Sequence, residues 1–192
     1  MGTHIIYLVR HGQMAKGDPS DELEKGLTPL GQRQARRVAL RLSGLPVSAI
    51  HYSTLRRAAE TAQIIAEQFP AVPLRPSRLL WECLPGLPVT VRKYYPDISR
   101  REAERDWRRA GRAFAKYFRP VRGNDRHEII VAHGNLIRYF ALRALGVSPK
   151  MWTQSDMRNC GLSEIHVHPD GVTMLIALND TGHIPGRWLT YV

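Results

Sequence analysis

The sequence predicts an α/β fold, a three-layer sandwich in which helices flank a mostly parallel central sheet. Apolar, β-branched runs at 4–9 and 128–132 are typical of strands buried on both faces. Amphipathic helical stretches separate such runs along the chain, and this alternation is characteristic of parallel sheets. The chain has 192 residues, the length of one domain, so we expect residues 1–192 to form a single domain.

The first helix is predicted from its start signals. Thr28 is a favourable N-cap, and Pro29 suits the first helical position. Apolar residues then recur at helical spacing, and Gly44 ends the stretch. A short strand is expected at 49–52. The next helix is expected to use Ser53 or Thr54 as its N-cap and to end before Pro70.

Two further helices are expected in the second half of the chain. Ser99 and Glu102 have the spacing of a capping box, and the apolar pattern after them predicts a long helix reaching Tyr117. Another helix is expected over 135–145, directly after the strand at 128–132. A helix–strand–helix order of this kind continues the α/β pattern.

The remaining segments predict a hairpin and a loop. Strand-like runs at 162–167 and 172–178 flank the turn Pro169-Asp170-Gly171 and predict a β-hairpin. Residues 79–95 are rich in Pro and Gly, so we expect an irregular loop that lies over another part of the molecule.

Composition limits the classes of function. No apolar run approaches the length of a membrane span, and the N-terminus lacks the basic start of a signal peptide. These observations predict a cytoplasmic protein without a membrane partner. The two cysteines, Cys83 and Cys160, exclude a disulfide framework. The net charge of +11 predicts an anionic substrate or partner, because arginine binds phosphate and carboxylate well.

Two strand ends carry the same unusual motif. The first strand ends in Arg10-His11-Gly12, and the strand at 128–132 is followed by His133-Gly134. Ligands of α/β sheets bind beyond the carboxyl ends of the strands. If these strands are neighbours, about 4.8 Å apart, both imidazoles face one pocket. Arg57 follows a third strand in the first turn of a helix, where anions are favoured, so a phosphoryl site without metal is expected.

These motifs resemble those of the histidine phosphatase superfamily, also called the phosphoglycerate mutase-like family. The matching pieces run in order along nearly the whole chain: Arg10-His11-Gly12, the segment 27–35, the segment 57–62, Glu82 and His133-Gly134. Within the family, the segments 135–139, 159–161 and 180–185 are most similar to the serine/threonine protein phosphatase branch.

The resemblance implies a role for each catalytic residue. His11 would be the nucleophile that takes the phosphoryl group. Arg10 and Arg57 would hold its non-bridging oxygens, and His133 would donate a hydrogen bond to it. Glu82 would protonate the leaving oxygen. The implied activity is metal-independent hydrolysis of phosphomonoesters through a phosphohistidine, without a cofactor, on a phosphorylated small molecule or a phosphoprotein carrying phosphoserine or phosphothreonine.

Gln13 and Gly134 are also expected in the phosphate pocket. Many family members carry Glu where this chain has Gln13, and mutase-like members carry Asn where it has Gly17. Both differences count against phosphoglycerate specificity. Phosphotransfer of the phosphoglycerate mutase type stays open as the first alternative.

A basic segment supplies the second alternative. Between residues 92 and 126 the chain has twelve basic and five acidic residues. A basic helix face can bind a phosphate backbone or another acidic surface. No known nucleic-acid motif accompanies it, so nucleic acid is the less favoured partner. Neither cysteine has the downstream arginine of a cysteine phosphatase, and no metal site is predicted.

Overall fold

The computed structural model describes residues 2–16, 23–86, 88, 92–93 and 95–191. Within them the central feature is a six-stranded sheet in the order β3-β2-β4-β1-β5-β6. Its strands are β1 (His4–Arg10), β2 (Val47–Ser53), β3 (Leu74–Ser77), β4 (Arg126–Ala132), β5 (Leu162–Val167) and β6 (Thr173–Asp180). Strands β1 to β4 pair in parallel, whereas β5 pairs antiparallel with both β1 and β6. The predicted mostly parallel sheet is therefore confirmed.

Helices cover both faces of this sheet. They are α1 (Pro29–Leu42), α2 (Arg56–Ala66), α3 (Arg100–Tyr117) and α4 (Gly134–Ala144). One apolar core lies between the sheet and α1 with α2, and a second lies between the sheet and α3 with α4. This arrangement confirms the predicted three layers. None of the helices in the described ranges is long and apolar enough to cross a membrane.

Helix starts follow the local signals with one exception. Thr28 caps α1 by accepting a hydrogen bond from the Gly31 amide at 3.0 Å. Ser99 and Glu102 form the expected capping box of α3. The predicted cap of α2 is wrong, because its N-cap is Leu55, which gives no side-chain hydrogen bond.

Strand β3 was not anticipated from the sequence. It has four residues, most of them exposed, and it includes Pro76, so it lacks the apolar pattern of a buried strand. It pairs at the edge of the sheet with β2. The expected irregular loop follows it, apart from a short 3₁₀ turn at Arg78–Leu80. Residues 87, 89–91 and 94 of that segment lie outside the described ranges.

A buried ionic cluster lies at the end of the sheet where β1 and β4 begin. Glu128 Oε2 is 3.1 Å from His4 Nε2 and 3.3 Å from His51 Nε2. Burial by itself raises the pKa of Glu128. The hydrogen bond from His4 and the close approach of His51 outweigh it and hold this pKa below its usual range. The cluster therefore ties three parallel strands together in a way that depends on an ionised carboxylate.

Candidate active site

The two histidine motifs meet at the carboxyl ends of β1 and β4. These strands are direct neighbours, with Arg10 in register with Ala132. The amide of His11 donates to the carbonyl oxygen of Ala132 at 3.0 Å. The imidazole rings of His11 and His133 lie 5.1 Å apart between their centroids. The structure thus brings the two predicted imidazoles together at the carboxyl end of the parallel strands.

The partners of His11 define which ring nitrogen is reactive. Its Nδ1 lies 2.8 Å from the Gly12 carbonyl oxygen, which can only accept, so Nδ1 carries the proton. Its Nε2 accepts from Arg57 Nε at 3.3 Å. Burial lowers the pKa of His11 well below its usual value, and the charges of Arg10 and Arg57 lower it further. His11 is therefore neutral near pH 7, with the lone pair of Nε2 directed at a guanidinium group.

His133 is held by a serine from the neighbouring strand. Its Nε2 lies 2.7 Å from the Ser53 hydroxyl oxygen. That oxygen also accepts from the Leu55 amide at 3.3 Å, and in the described part of the chain the hydroxyl proton has no acceptor other than His133 Nε2. The ring proton then lies on Nδ1, a buried atom without a hydrogen-bond partner among the described residues. Burial, followed by the charge of neighbouring groups, lowers the pKa of His133 well below its usual value.

Arg10 reaches from the end of β1 towards the start of α4. Its Nη1 donates to the carbonyl oxygens of Met157 and Tyr191. Its Nε is buried and has no partner within the described ranges. A Cβ atom at position 134 would lie 3.4 Å from this Nε, so Gly134 keeps the helix start close to the guanidinium. An unused N–H group therefore faces a helix N-terminus, which is a favourable place for an anion.

Glu82 occupies that helix N-terminus in the structure. Its Oε1 accepts from the amides of Cys83 at 3.0 Å and Leu136 at 3.2 Å, and its Oε2 accepts from the Asn135 amide at 3.4 Å. Burial of the carboxyl group outweighs these hydrogen bonds and raises the pKa of Glu82 above its usual value. A carboxyl group with a raised pKa keeps its proton to higher pH, as an acid catalyst must.

The loop that carries Glu82 is fastened to α3. Arg109 donates to the carbonyl oxygens of Trp81 and Glu82, each at 2.6 Å, and pairs with Asp106 at 2.8 Å. Asp106 also accepts from the Leu84 amide at 3.1 Å. The expectation that this irregular loop lies over another part of the molecule is confirmed.

Gln13 lies where the His11 loop meets α1. Its amide donates to Gln34 Oε1 at 2.8 Å, and its side-chain oxygen accepts from the Thr28 hydroxyl at 2.8 Å. The contact is close, because a Cβ atom at Gly31 would lie 2.1 Å from the Gln13 carbonyl oxygen. The structure therefore ties Gln13 to the cap of α1. Gly17 lies outside the described residues.

Two polar residues that support His11 were not recognised as supports from the sequence. Thr61 accepts from the Gly12 amide at 3.1 Å and donates to the Arg57 carbonyl oxygen at 2.7 Å. Asn159 Nδ2 donates to the His11 carbonyl oxygen at 3.0 Å. Both residues lie in segments that resemble the family, 57–62 and 159–161, and neither had any further signal. In the described part of the chain no cluster of His, Cys, Asp or Glu is arranged to hold a metal ion.

The family model "Histidine phosphatase superfamily (branch 1)" matches residues 6–181. A serine/threonine-protein phosphatase PGAM5, mitochondrial, from Xenopus tropicalis is 38% identical over 192 residues, covering 95% of this chain and 66% of the relative. The chain thus spans just under two thirds of the length of that relative. A solved phosphoglycerate mutase from Plasmodium falciparum is 28% identical with a TM-score of 0.66, covering 100% of both chains.

A phosphoserine phosphatase from Entamoeba histolytica, solved with 3-phosphoglyceric acid, has a TM-score of 0.73 at 22% identity and covers 95% of this chain and 100% of its own. It shares the three-layer fold. The expected cytoplasmic location is wrong on these comparisons, because the frog relative and its human and nematode counterparts are all named mitochondrial. The absence of a leader pattern in the sequence was not a sufficient basis for that expectation. On the family match across most of its length, the chain belongs to the histidine phosphatase superfamily, branch 1.

Proposed function

We propose that this chain hydrolyses phosphomonoesters through a phosphohistidine formed on His11. The observation that carries the proposal is the state of that ring: a neutral imidazole whose Nε2 lone pair faces the guanidinium of Arg57 at 3.3 Å. Phosphoryl transfer needs a nucleophile and positive charge around the same phosphorus atom. Family membership supports the same chemistry.

The first step transfers the phosphoryl group to the enzyme. Nε2 of His11 attacks phosphorus, the bond from phosphorus to the leaving oxygen breaks, and protonated Glu82 gives its proton to that oxygen. Three groups whose side chains lie near His11 would stabilise the negative charge on the phosphoryl oxygens. These are Arg57, the partnerless Nε of Arg10 and the partnerless Nδ1 of His133. Gly134 and Gln13 complete the proposed pocket.

The second step regenerates the enzyme. A water molecule attacks the phosphohistidine and the bond between phosphorus and Nε2 breaks. Ionised Glu82 takes the proton from the water, and inorganic phosphate leaves. Glu82 thus acts first as an acid and then as a base. Its position at the start of α4 allows both states, because the helix N-terminus stabilises the ionised form after its proton has gone.

We propose phosphoproteins with phosphoserine or phosphothreonine as the substrates. The support is the similarity to relatives that are named serine/threonine-protein phosphatases. Phosphotransfer of the phosphoglycerate mutase type stays the second candidate, supported by the similarity to a solved phosphoglycerate mutase. Phosphate release should be compared on phosphopeptides and phosphoglycerates with one preparation. Mutase activity exceeding hydrolysis would reverse the ranking.

The nucleophile is tested by replacing His11. In His11→Ala, turnover of p-nitrophenyl phosphate should fall by more than about 10³-fold, because the covalent route is lost. A radiolabelled substrate should leave an acid-labile label on the wild type and none on the variant. His168→Ala is the matched control, because His168 follows β5 at the opposite end of the sheet, where Val167 pairs with His4. Turnover near the wild-type rate in His11→Ala would exclude this mechanism.

A further inference from the structure

We propose that a basic trough on α3 docks an acidic segment of the phosphoprotein substrate, next to the phosphorylated residue that enters the His11 site. The proposal deepens the proposed function and rests on it. It takes up the basic segment seen in the sequence, apart from Arg109, which fastens the Glu82 loop of the catalytic site. Its chemistry is recognition of carboxylates by arginine side chains.

The trough consists of two adjoining cavities. The first has a volume of about 1090 Å³ and lies between the exposed side of α3 and the flank of α4. The second has a volume of about 450 Å³ and lies between α3 and the loop after Glu82. Glu104 and Trp107 line both cavities, so the two lie side by side. Basic side chains dominate the lining: Arg101, Arg105, Arg108, Arg112 and Arg143 in the first, with Arg92, Arg100 and Lys150 in the second.

These cations are poorly neutralised by the protein itself. Among the described residues that line the trough, Glu104 is the only carboxylate. Its pair with Arg108 is long, at 3.8 Å, and the Arg108 side chain is 79% exposed. Arg105 has a similar 3.8 Å pair with Glu102 and is 74% exposed. Exposed pairs of this kind contribute little, so the guanidinium groups stay available to an external anion.

The shape and chemistry favour a polypeptide over a nucleic acid. From Arg101 to Arg112 the helix rises about 16 Å, the reach of about five residues of extended chain. Single-stranded nucleic acids are held by open aromatic faces. Here Trp107 packs edge-on against Tyr139, with ring centroids 5.6 Å apart, and Tyr139 is buried. The Glu104 carboxylate can accept a peptide N–H, whereas a phosphodiester backbone offers it no donor.

The trough is also connected to the catalytic loop. Gly86, four residues after Glu82, lines the second cavity. Arg109 holds the Glu82 carbonyl oxygen from the same helix that presents Arg108 and Arg112 to the trough. The trough and the loop that carries the proton donor thus share helix α3. An acidic stretch near the phosphorylated residue can therefore occupy the trough while the phosphate reaches His11.

The test compares two phosphoserine peptides that differ only in their flanking residues, glutamate in one and glutamine in the other. Arg101→Gln/Arg108→Gln/Arg112→Gln should lower kcat/KM for the glutamate peptide about tenfold, because each exposed ion pair supplies roughly a twofold effect. The loss should appear in KM. Turnover of p-nitrophenyl phosphate and of the glutamine peptide should not change. Arg36→Gln/Arg41→Gln/Arg122→Gln removes the same charge outside the trough and should leave the preference intact.

Binding is measured separately from turnover, so that failure of docking and failure of catalysis are distinguishable. A fluorescent glutamate peptide should bind His11→Ala protein, and the trough substitutions should weaken that binding about tenfold even if the wild type hydrolyses nothing. Equal affinity for both peptides would overturn the proposal. Tighter competition by single-stranded polyuridine than by the glutamate peptide would also overturn it and identify the trough as a nucleic-acid site.

Discussion

Replacing Glu82 by Gln separates acid catalysis from positioning. The two hydrogen bonds at 3.0 and 3.2 Å, from Cys83 and Leu136, both go to Oε1. A glutamine oxygen in the same place keeps both. Only the 3.4 Å bond from Asn135 to Oε2 is lost, at a cost of about 1 kcal/mol. The fold and the start of α4 should survive, whereas an amide has no proton to give to a leaving oxygen.

The loss should therefore depend on the leaving group. For an alkyl phosphate, kcat/KM should fall by roughly 10²–10⁴-fold, the usual effect of general acid catalysis. For p-nitrophenyl phosphate, whose leaving group needs little protonation, the loss should stay within about tenfold. Glu60→Gln is the matched control, because Glu60 lies on α2 and accepts hydrogen bonds from Arg56 and from the Leu27 amide. In this variant kcat/KM should change little for either substrate.

The pH profile gives an independent reading of the same residue. An acid catalyst acts only while protonated, and the pKa of Glu82 is raised. Wild-type turnover of the alkyl phosphate should fall as pH rises through that raised pKa, and Glu82→Gln should lack this decline. Equal losses on alkyl and aryl phosphates would refute the reasoning and assign Glu82 to positioning alone.

Three further predictions concern residues that support the site. Ser53→Ala should lower kcat about tenfold with little change in KM, because the tautomer of His133 is no longer fixed, and Ser53→Thr should restore activity. Since the folded-state pKa of Glu128 is depressed, its stabilising effect is present above its unfolded value of 4.5 and is lost as pH falls towards the folded value. Urea unfolding should show this loss as a lower unfolding free energy of the wild type in acid. Glu128→Gln should be less stable by about 2 kcal/mol at pH 7, and its unfolding free energy should change less as the pH falls. Gly31→Ala should lower the unfolding free energy by about 1–3 kcal/mol, whereas Gly186→Ala, with open space around it, should not, as thermal melts can check.

Features encoded within a few residues were predicted well from the sequence. The cap at Thr28 and the capping box at Ser99 depend on side chains three positions from their partners. The proximity of His11 and His133 was also expected, because residues that follow the carboxyl ends of neighbouring parallel strands lie at the same end of the sheet. That expectation depended on the two strands being neighbours, which the structure confirms.

Features that depend on distant contacts were not predicted. Ser53 is a residue type that favours helix N-caps, but its hydroxyl makes a hydrogen bond with His133, which is 80 positions away. Asn159 reaches the His11 carbonyl oxygen across 148 positions. Strand β3 is defined by its pairing with β2, since its own four residues have no buried apolar pattern. In each case the deciding partner lies far along the chain, where periodicity and capping rules carry no information.

Strands β1 and β4 contribute side chains to both apolar cores. Ile6 and Leu8 pack on the α3 and α4 side, whereas Ile5 and Val9 pack on the α1 and α2 side. If one core opens locally, the other core therefore still holds these two strands in place. Their amides should exchange with solvent only through global unfolding. The nucleophile and its partner histidine extend directly from these strands, so heat should abolish activity and melt the fold at the same temperature.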